Sequence, residues 1–447
     1  MFAASVVRFE GHGRRHREPH RFRYPDRMRQ ITLSEPVRVF GLSGSMSVNI
    51  TSPEFKADPF PFYARLRAET PVFTVKLPDK RTAWLITRYD DVVAVLKDER
   101  FAKDRFKALS PGQLAKQPWI PESFMPLVHN MLDRDGADHV RLRALVHKAF
   151  TPRVVEQMRL RIESLTNDLF DAVERRGKMD LIRDFALPLP TTIIAEVLGV
   201  DPRDRHKFHR WSSSMLVATS SKWGVLRALP QIMAFMRYIR KLIRSRCAVP
   251  RDDLITMLIQ AEESGDKLSE DELLAMVFLL LFAGHETTVN LIGNATLALL
   301  GHPREFEKLR RDPALMKSAV EELLRFDGPL ETATERFARE DLTVAGVAIP
   351  RGELVLAVLT SANRDERQFT EANTLDLART DNQHVAFGFG VHYCVGAPLA
   401  RLEGQIALST LLRRTSNLRL AVPASRLRWR RGLVLRGLEA LPVTFSK

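Results

Sequence analysis

The sequence predicts a mainly α-helical protein with a small β region, and three observations carry that expectation. Apolar residues recur at helical spacing through most of the chain. One helical pattern runs from Ser269 to about Leu300 between clear start and stop signals. Period-two alternation is confined to short runs near the ends, the clearest around Val72 and Trp84.

The elements follow in order. Pro59 to Glu69 reads as a short amphipathic helix, Val72–Val75 and Trp84–Thr87 as a strand pair turned near Pro78 to Lys80, and Tyr89–Lys97 as helix. Residues 101–130, rich in Pro, Gly and Ser, read as a long irregular segment, and long loops inside compact folds are usually functional. A basic helix from Ala137 to Ala149 is stopped by Thr151-Pro152. Further helices are expected at 153–175, 190–198, 203–217, 226–247 and 252–262. The long helix starts on a capping box, Ser269 with Glu272, and stops at Gly301 and Pro303. Its 32 or so residues give roughly 48 Å at 1.5 Å per residue, enough to cross the whole molecule. In its middle, Ala283-Gly284-His285-Glu286-Thr287-Thr288 interrupts an apolar run with a glycine, two titratable groups and two β-branched residues. A local break in a consistent element is where a functional site is expected. Another helix begins at Asp312-Pro313 and ends before Gly328-Pro329, and a last one runs from Pro398 to about Arg413.

Composition narrows the classes. With 447 residues and 45% apolar content the chain can bury a large core. Two cysteines, Cys247 and Cys394, form no disulfide framework, which fits a reducing compartment, and apolar stretches such as Met276 to Gly284 are too short to span a bilayer. A cytoplasmic protein without a membrane anchor is therefore expected. Net charge is +14, but residues 1–45 carry nine arginines against four acidic residues and so supply +5 of it. That segment, with His12, His16 and His20 among its arginines, reads as a disordered extension, or as sequence upstream of a natural start at Met46; residues 46–447 form the expected catalytic domain. No nucleic-acid partner is expected.

The most informative segment is Phe387-Gly388-Phe389-Gly390-Val391-His392-Tyr393-Cys394-Val395-Gly396. Glycines at 388, 390 and 396 permit positive φ and let amides approach the sulfur, and a cysteine before a helix N-terminus is expected to have a lowered thiol pKa. A dinucleotide fingerprint fails because position 393 is Tyr393, and a zinc-protease helix fails because position 289 is Val289.

The order Phe-x-x-Gly-x-His-x-Cys-x-Gly resembles the haem-binding loop of the cytochrome P450 superfamily, with every defined position filled, and the motifs look like its soluble bacterial branch. The likeness extends from about Pro53 to the C-terminus. It implies a haem b lying between the long helix and the cysteine loop, with Cys394 as axial thiolate and Phe387, Gly388, His392 and Gly396 around it. It implies that Ala283 and Gly284 leave room over the iron and that Glu286 and Thr287 are the acid and alcohol that govern proton delivery. Thr287 can also bond back to a carbonyl of the preceding turn and bend the helix. A peroxide-consuming branch carries Arg-Pro at these positions, so Glu286-Thr287 argues for dioxygen and external electrons. Glu322 and Arg325, three apart, with Arg379 from Leu375-Asp376-Leu377-Ala378-Arg379, resemble a buried trio that assembles the haem loop. His139, Arg143, Arg336 and His392 resemble the propionate contacts.

Substrate contacts are expected from 101–130, from 205–235, and from Phe282, Ala283, Leu330, Glu331 and Thr332, with Glu331 either hinting at a polar or cationic group on the substrate or making a hydrogen bond behind the pocket. The function implied is a monooxygenase that inserts one oxygen atom into an apolar polyketide, terpene, steroid or fatty-acid-like molecule. No flavin or iron–sulfur cluster is expected in this chain, so electrons come from a ferredoxin and its reductase, or a flavodoxin. Such donors are acidic, and Arg141, His147, Lys148 and Arg401 form the expected docking patch for a monomeric enzyme. Two rivals keep the haem: a thiolate isomerase or dehydratase without net use of dioxygen, and a non-enzymatic sensor. Oxygen content of the product separates the first, and a spin-state response to apolar ligands separates the second.

Overall fold

A computed structural model describes residues 48–446 except 116–123, 126–129, 150, 205–206, 208–210, 212–221 and 262–266. The expected helix at 203–217 and much of the 101–130 and 205–235 regions lie outside the described residues. Helices dominate. Those that frame the site are α1 (Pro53–Ala57), α2 (Phe60–Glu69), α3 (Tyr89–Lys97), α4 (Gly136–Ala149), α5 (Arg159–Glu174), α6 (Pro188–Val197), α7 (Lys222–Ala248), α8 (Glu270–Gly301), α9 (Met316–Asp327) and α10 (Ala397–Arg414). Their ends follow local chemistry. Ser52 caps α1, and Ser269 accepts from the Glu272 amide while the Glu272 side chain returns to the Ser269 amide. Asp312 caps a 3-10 turn, Pro313–Leu315, that leads into α9. The stretch expected as one helix over 153–175 is two, Pro152–Gln157 and α5, meeting at Met158.

The β region is small. A five-stranded sheet has the order β1 (Val72–Lys76), β2 (Thr82–Ile86), β8 (Leu354–Ala357), β5 (Arg336–Ala338), β3 (Phe101–Ala102). Its β1–β2 hairpin pairs Val72 with Ile86, and β2 runs parallel to β8. A three-stranded sheet orders β4 (Lys178–Asp180), β10 (Pro442–Ser446) and β9 (Ser416–Leu420), and β6 (Leu342–Val344) pairs with β7 (Val347–Ile349).

The largest core gathers on α8, which packs against α6, α7, α9 and α10. By length and composition α8 could cross a membrane, contrary to the expectation that no apolar stretch is long enough, but 67% of its most apolar window is buried in the protein. Its unusual hydropathy is that of a central core helix touched on nearly every side. The exceptions are Ala283 and Gly284, which are exposed midway along it.

Candidate active site

The loop ahead of α10 is built by its glycines. Gly388 and Gly390 have φ of 73° and 71°, and a Cβ on Gly390 would lie 2.9 Å from the Leu96 carbonyl oxygen, so only glycine fits there. Gly396 differs from expectation: its φ is −81°. A Cβ there would make only ordinary contact with Cys394 Sγ at 3.9 Å, and what Gly396 offers the sulfur is its backbone amide. The Cys394 amide donates to Phe387 O at 3.0 Å and closes the loop.

Cys394 is reachable by solvent, yet protein atoms crowd the surrounding shell. Burial therefore pushes its thiol up, outweighing the amides of Gly396 and Ala397 and the cations Arg143 and Arg401 that pull the other way. The expected lowering does not occur in the bare protein. A bound metal ion supplies what the loop does not, because a coordinating thiol loses its proton outright.

Behind the loop, Glu322 receives Arg325 Nε and Nη2, each at 2.7 Å, and Arg379 Nε at 3.1 Å. The Asp376 amide and Asn382 Nδ2 add donors at 3.0 and 3.2 Å. Arg325 also donates to the carbonyls of Asn363, Ala372 and Thr374. The trio thus pins the chain that leads into the cysteine loop to α9. Next to it, Glu321 accepts from His384 Nε2 and from both arms of Arg401, which hold its carboxyl down at about 2. The Arg401 guanidinium lies 4.4 Å over the Phe387 ring.

On the other flank of the loop, basic side chains gather around Asp135, with Asp133 and Glu335 nearby. The rings of His139 and His392 lie 4.1 Å apart, and His392 Nε2 is 3.8 Å from Asp135. Arg336, buried, donates to Phe101 O and Leu96 O, and its Nε has no hydrogen-bond partner among the described residues. Lys103 donates to Thr334 Oγ1 and Glu335 O, both at 2.7 Å. Desolvation lowers His139 to about 4, so its ring is a neutral hydrogen-bonding group at pH 7, and lowers Lys103 to about 8 and Arg336 to about 10, which leaves these two as the buried cations of the cluster. Asp135 stays ionised, held well below the usual range by His392, the amides of Lys103 and Asp104, and Arg339. Arg143 points elsewhere, donating to Tyr393 O at 2.6 Å.

Across the site, Thr287 Oγ1 donates to Ala283 O at 2.9 Å, and α8 stays α-helical through the turn. Glu286 accepts from Arg430 at 2.7 Å. The rings of Phe278 and Phe282 stack with centroids 6.2 Å apart.

The cytochrome P450 family model matches residues 227–418. The polyketide biosynthesis cytochrome P450 PksS of Bacillus subtilis is 44% identical over 399 residues, 88% of this chain and 97% of that protein. Its solved structure superposes with a TM-score of 0.84 and covers 90% of this chain. The chain belongs to the cytochrome P450 family. The monooxygenase PikC of Streptomyces venezuelae is 40% identical over 93% of this chain and 96% of its own. The myxobacterial P450 CYP267B1, solved with myristic acid, is 44% identical with a TM-score of 0.83 over 89% of this chain and 99% of its own. This P450 is accordingly an oxidoreductase that incorporates oxygen from dioxygen, and its family implies haem.

The residues present fit that group. Buried Arg336, whose Nε has no partner among the described residues, with Lys103 and the His139 and His392 rings beside it, suits two carboxylates; an accessible thiol suits an axial ligand, and exposed Ala283 and Gly284 on a core helix suit a flat face.

Two expectations are corrected. Glu331 lies in a bend ahead of β5 and is fully buried, ion-paired to Lys56 Nζ at 2.6 Å and accepting from Tyr63 Oη at 2.5 Å. Its carboxylate is taken up by Lys56 and Tyr63, so Glu331 serves a hydrogen-bonded pair within the protein and the hint of a polar substrate disappears. Leu330 is partly buried and Thr332 is buried against Leu433 O. Of the expected docking patch, Arg141 is paired with Glu272 and Arg401 with Glu321, while His147 is exposed; the Lys148 side chain lies outside the described residues. Sequence reading missed Lys103, Asp135 and Arg430. Asp135 precedes the basic helix at a capping position and was findable on that ground; Lys103 and Arg430 carry no local signal.

Proposed function

We propose that this P450 inserts one atom of dioxygen into a C–H bond or alkene of an apolar polyketide-like or fatty-acid-like small molecule. Cys394 ligates the haem b iron, and His139, Arg336 and His392, with Lys103 beside them, hold the propionates; Arg143 reaches them by leaving the Tyr393 carbonyl. The bound haem supplies reductive activation of dioxygen. The protein's own residues position and protonate. Ala283 and Gly284 keep the centre of α8 free of side-chain bulk, Thr287 holds its hydroxyl against the Ala283 carbonyl, and Glu286, oriented by partly exposed Arg430, carries a proton between solvent and the Thr287 turn. Phe282 and Leu330 line the substrate side.

The observation that carries the reading is one ten-residue loop presenting both the Cys394 thiol and His392, the latter packed on His139 beside buried Arg336 and Lys103. Polyketide and fatty-acid chemistry is favoured by the relative named for polyketide biosynthesis and by the one solved with myristic acid. Electrons come from a separate ferredoxin with its reductase, or a flavodoxin, in the cytoplasm, with exposed His147 in the docking patch. Residues 1–45 lie outside the catalytic domain, 46–447.

The test is spectroscopic first. Purified protein reduced under carbon monoxide should show the red-shifted Soret band of thiolate ligation. Cys394→Ser should abolish it; an unaltered band in that variant overturns the assignment. Turnover of a spin-shifting ligand under labelled dioxygen should then place one labelled atom in the product, and an unlabelled product would instead support an isomerase.

A further inference from the structure

Along one face of α8, three polar side chains follow one another at i, i+4 and i+8: Glu286, Asn290 and Asn294, none more than 1% exposed. The first and last meet segment 429–438, which is closed by the Trp429–Leu438 bridge and an Arg430 amide bond to Gly437 O. The middle one meets it too, for a Cβ built on Gly437 would fall 1.9 Å from Asn290 Oδ1. The column is therefore packed in, and its amides are not facing solvent.

The hydrogen-bond inventory is incomplete in an ordered way. Glu286 Oε2 accepts from Arg430, and Asn294 Nδ2 donates to the carbonyls of Asp327, Gly328 and Arg436. Left without a partner among the described residues are Glu286 Oε1, Asn290 Nδ2, Asn290 Oδ1 and Asn294 Oδ1. These four atoms succeed one another down the same face. Buried polar groups are normally hydrogen-bonded, and a leucine at 290 would fill a similar volume without any such demand. Side chains four apart on a helix are close enough to bond directly, but among the described residues these atoms do not, and a gap of about 6 Å is the span of two hydrogen bonds through one water.

We propose that Asn290 holds two buried waters, one against Glu286 and one against Asn294, and that the first fixes the carboxylate whose proton the active site uses. The first water accepts from Asn290 Nδ2 and donates to Glu286 Oε1. The second donates to Asn290 Oδ1 and to Asn294 Oδ1. Together they satisfy all four leftover atoms. The column is a clamp and not a channel: its far end is closed by three backbone carbonyls on Asn294, whereas Arg430, 29% exposed, is its contact with solvent. Glu286 is thus gripped at one oxygen by a surface cation and at the other by an interior water. Asn290 is a positioning residue acting through Glu286, so the inference rests on Glu286 being the proton-carrying acid.

The experiment uses haem-loaded enzyme. A crystal structure at a resolution that shows solvent should contain ordered waters on both sides of the wild-type Asn290 amide; a dry amide, or a direct protein partner for it, overturns the proposal without any variant. Asn290→Leu and the smaller Asn290→Ala should then lower product formed per electron pair roughly fivefold, the ratio that one typical hydrogen bond sustains, with the balance as hydrogen peroxide. The infrared carboxyl band assigned by its loss in Glu286→Gln should shift in both variants. A merely structural amide predicts raised thermal stability in Asn290→Leu with unchanged coupling and an unshifted band. If Glu286→Gln uncouples the enzyme while neither Asn290 variant does, the clamp is wrong and the acid stands. If Glu286→Gln itself leaves coupling intact, the assignment of Glu286 fails instead.

Discussion

Two buried polar regions of this P450 lie on opposite sides of the cysteine loop and are built in opposite ways. Glu322 receives donors from Arg325, Arg379, Asn382 and the Asp376 amide, so both of its oxygens are fully occupied. On the flanks of α8, by contrast, Glu286 has one empty oxygen, Asn290 two unpaired atoms, and Glu403 of α10 has neither oxygen within bonding distance of a described partner, only the Thr288 hydroxyl nearby. The saturated cluster can only hold things in place, because moving any member strands several others. The unsaturated one has spare bonding capacity next to Thr287, which is where solvent and protons must be handled. Saturation therefore separates assembly from chemistry among groups that burial alone would class together.

The largest effect should come from breaking the saturated side. Arg325→Met leaves Glu322 fully buried without its main partner and frees three carbonyls, which should cost about 3–5 kcal/mol of stability. Urea unfolding of the variant and its haem content after purification measure this together, and both should fall. A loss under about 1 kcal/mol with haem fully retained would mean that the trio is dispensable and the comparison is misdrawn.

Glu403 offers the next test. Burial raises its carboxyl to about 8, so in the folded protein it stays protonated at neutral pH, whereas in the unfolded chain it ionises near 4.5. The folded state binds the extra proton between those values, so stability is fullest below about pH 4.5, declines as pH rises through the window, and levels off above about 8. Glu403→Gln keeps the neutral shape and removes the titration. It should be more stable than wild type at pH 8, by up to a few kcal/mol in order of magnitude, and nearly equal to it at pH 5. Equal melting temperatures of the two proteins at both pH values would show that Glu403 is solvated or paired after all.

Legibility in the sequence follows the same division. The fold class, the ends of the long helix and the hairpin were readable because capping boxes, proline and glycine stops and alternation are local signals: Ser269, Glu272, Gly301 and the Val72–Ile86 pairing all sit where expected. Glu322, Arg325 and Arg379 were readable because their spacing matches a family motif, and the structure brings them together. What could not be read depends on contacts across hundreds of residues. Lys103 reaches Thr334 and Glu335, Arg430 reaches Glu286, and Glu331 turns to Lys56 and Tyr63. No pattern within any one segment encodes those partners. The thiol of Cys394 failed for a related reason: loop sequence announces the amides but not the density of protein around them.

The smallest expected effect concerns a cluster between the two extremes. Glu321 is shared by His384 and Arg401 at a position about 29% exposed, which keeps its carboxyl near 2 when its unperturbed value is near 4.5. A depressed carboxyl contributes stability that is complete above about pH 4.5 and fades as pH falls toward 2. Partial exposure screens the pair, so Arg401→Gln should cost only about 1 kcal/mol at pH 7, less in high salt, and the deficit should shrink between pH 4.5 and 2. Because Arg401 also covers the Phe387 ring, a remnant of the deficit should survive at the lowest pH, where the ion pair is gone and only the lost packing is left. Denaturation curves at pH 7 and at or below about pH 2 separate the two contributions. A deficit that is independent of pH would assign the role of Arg401 wholly to packing on the haem loop, and one that vanishes entirely would assign it to charge.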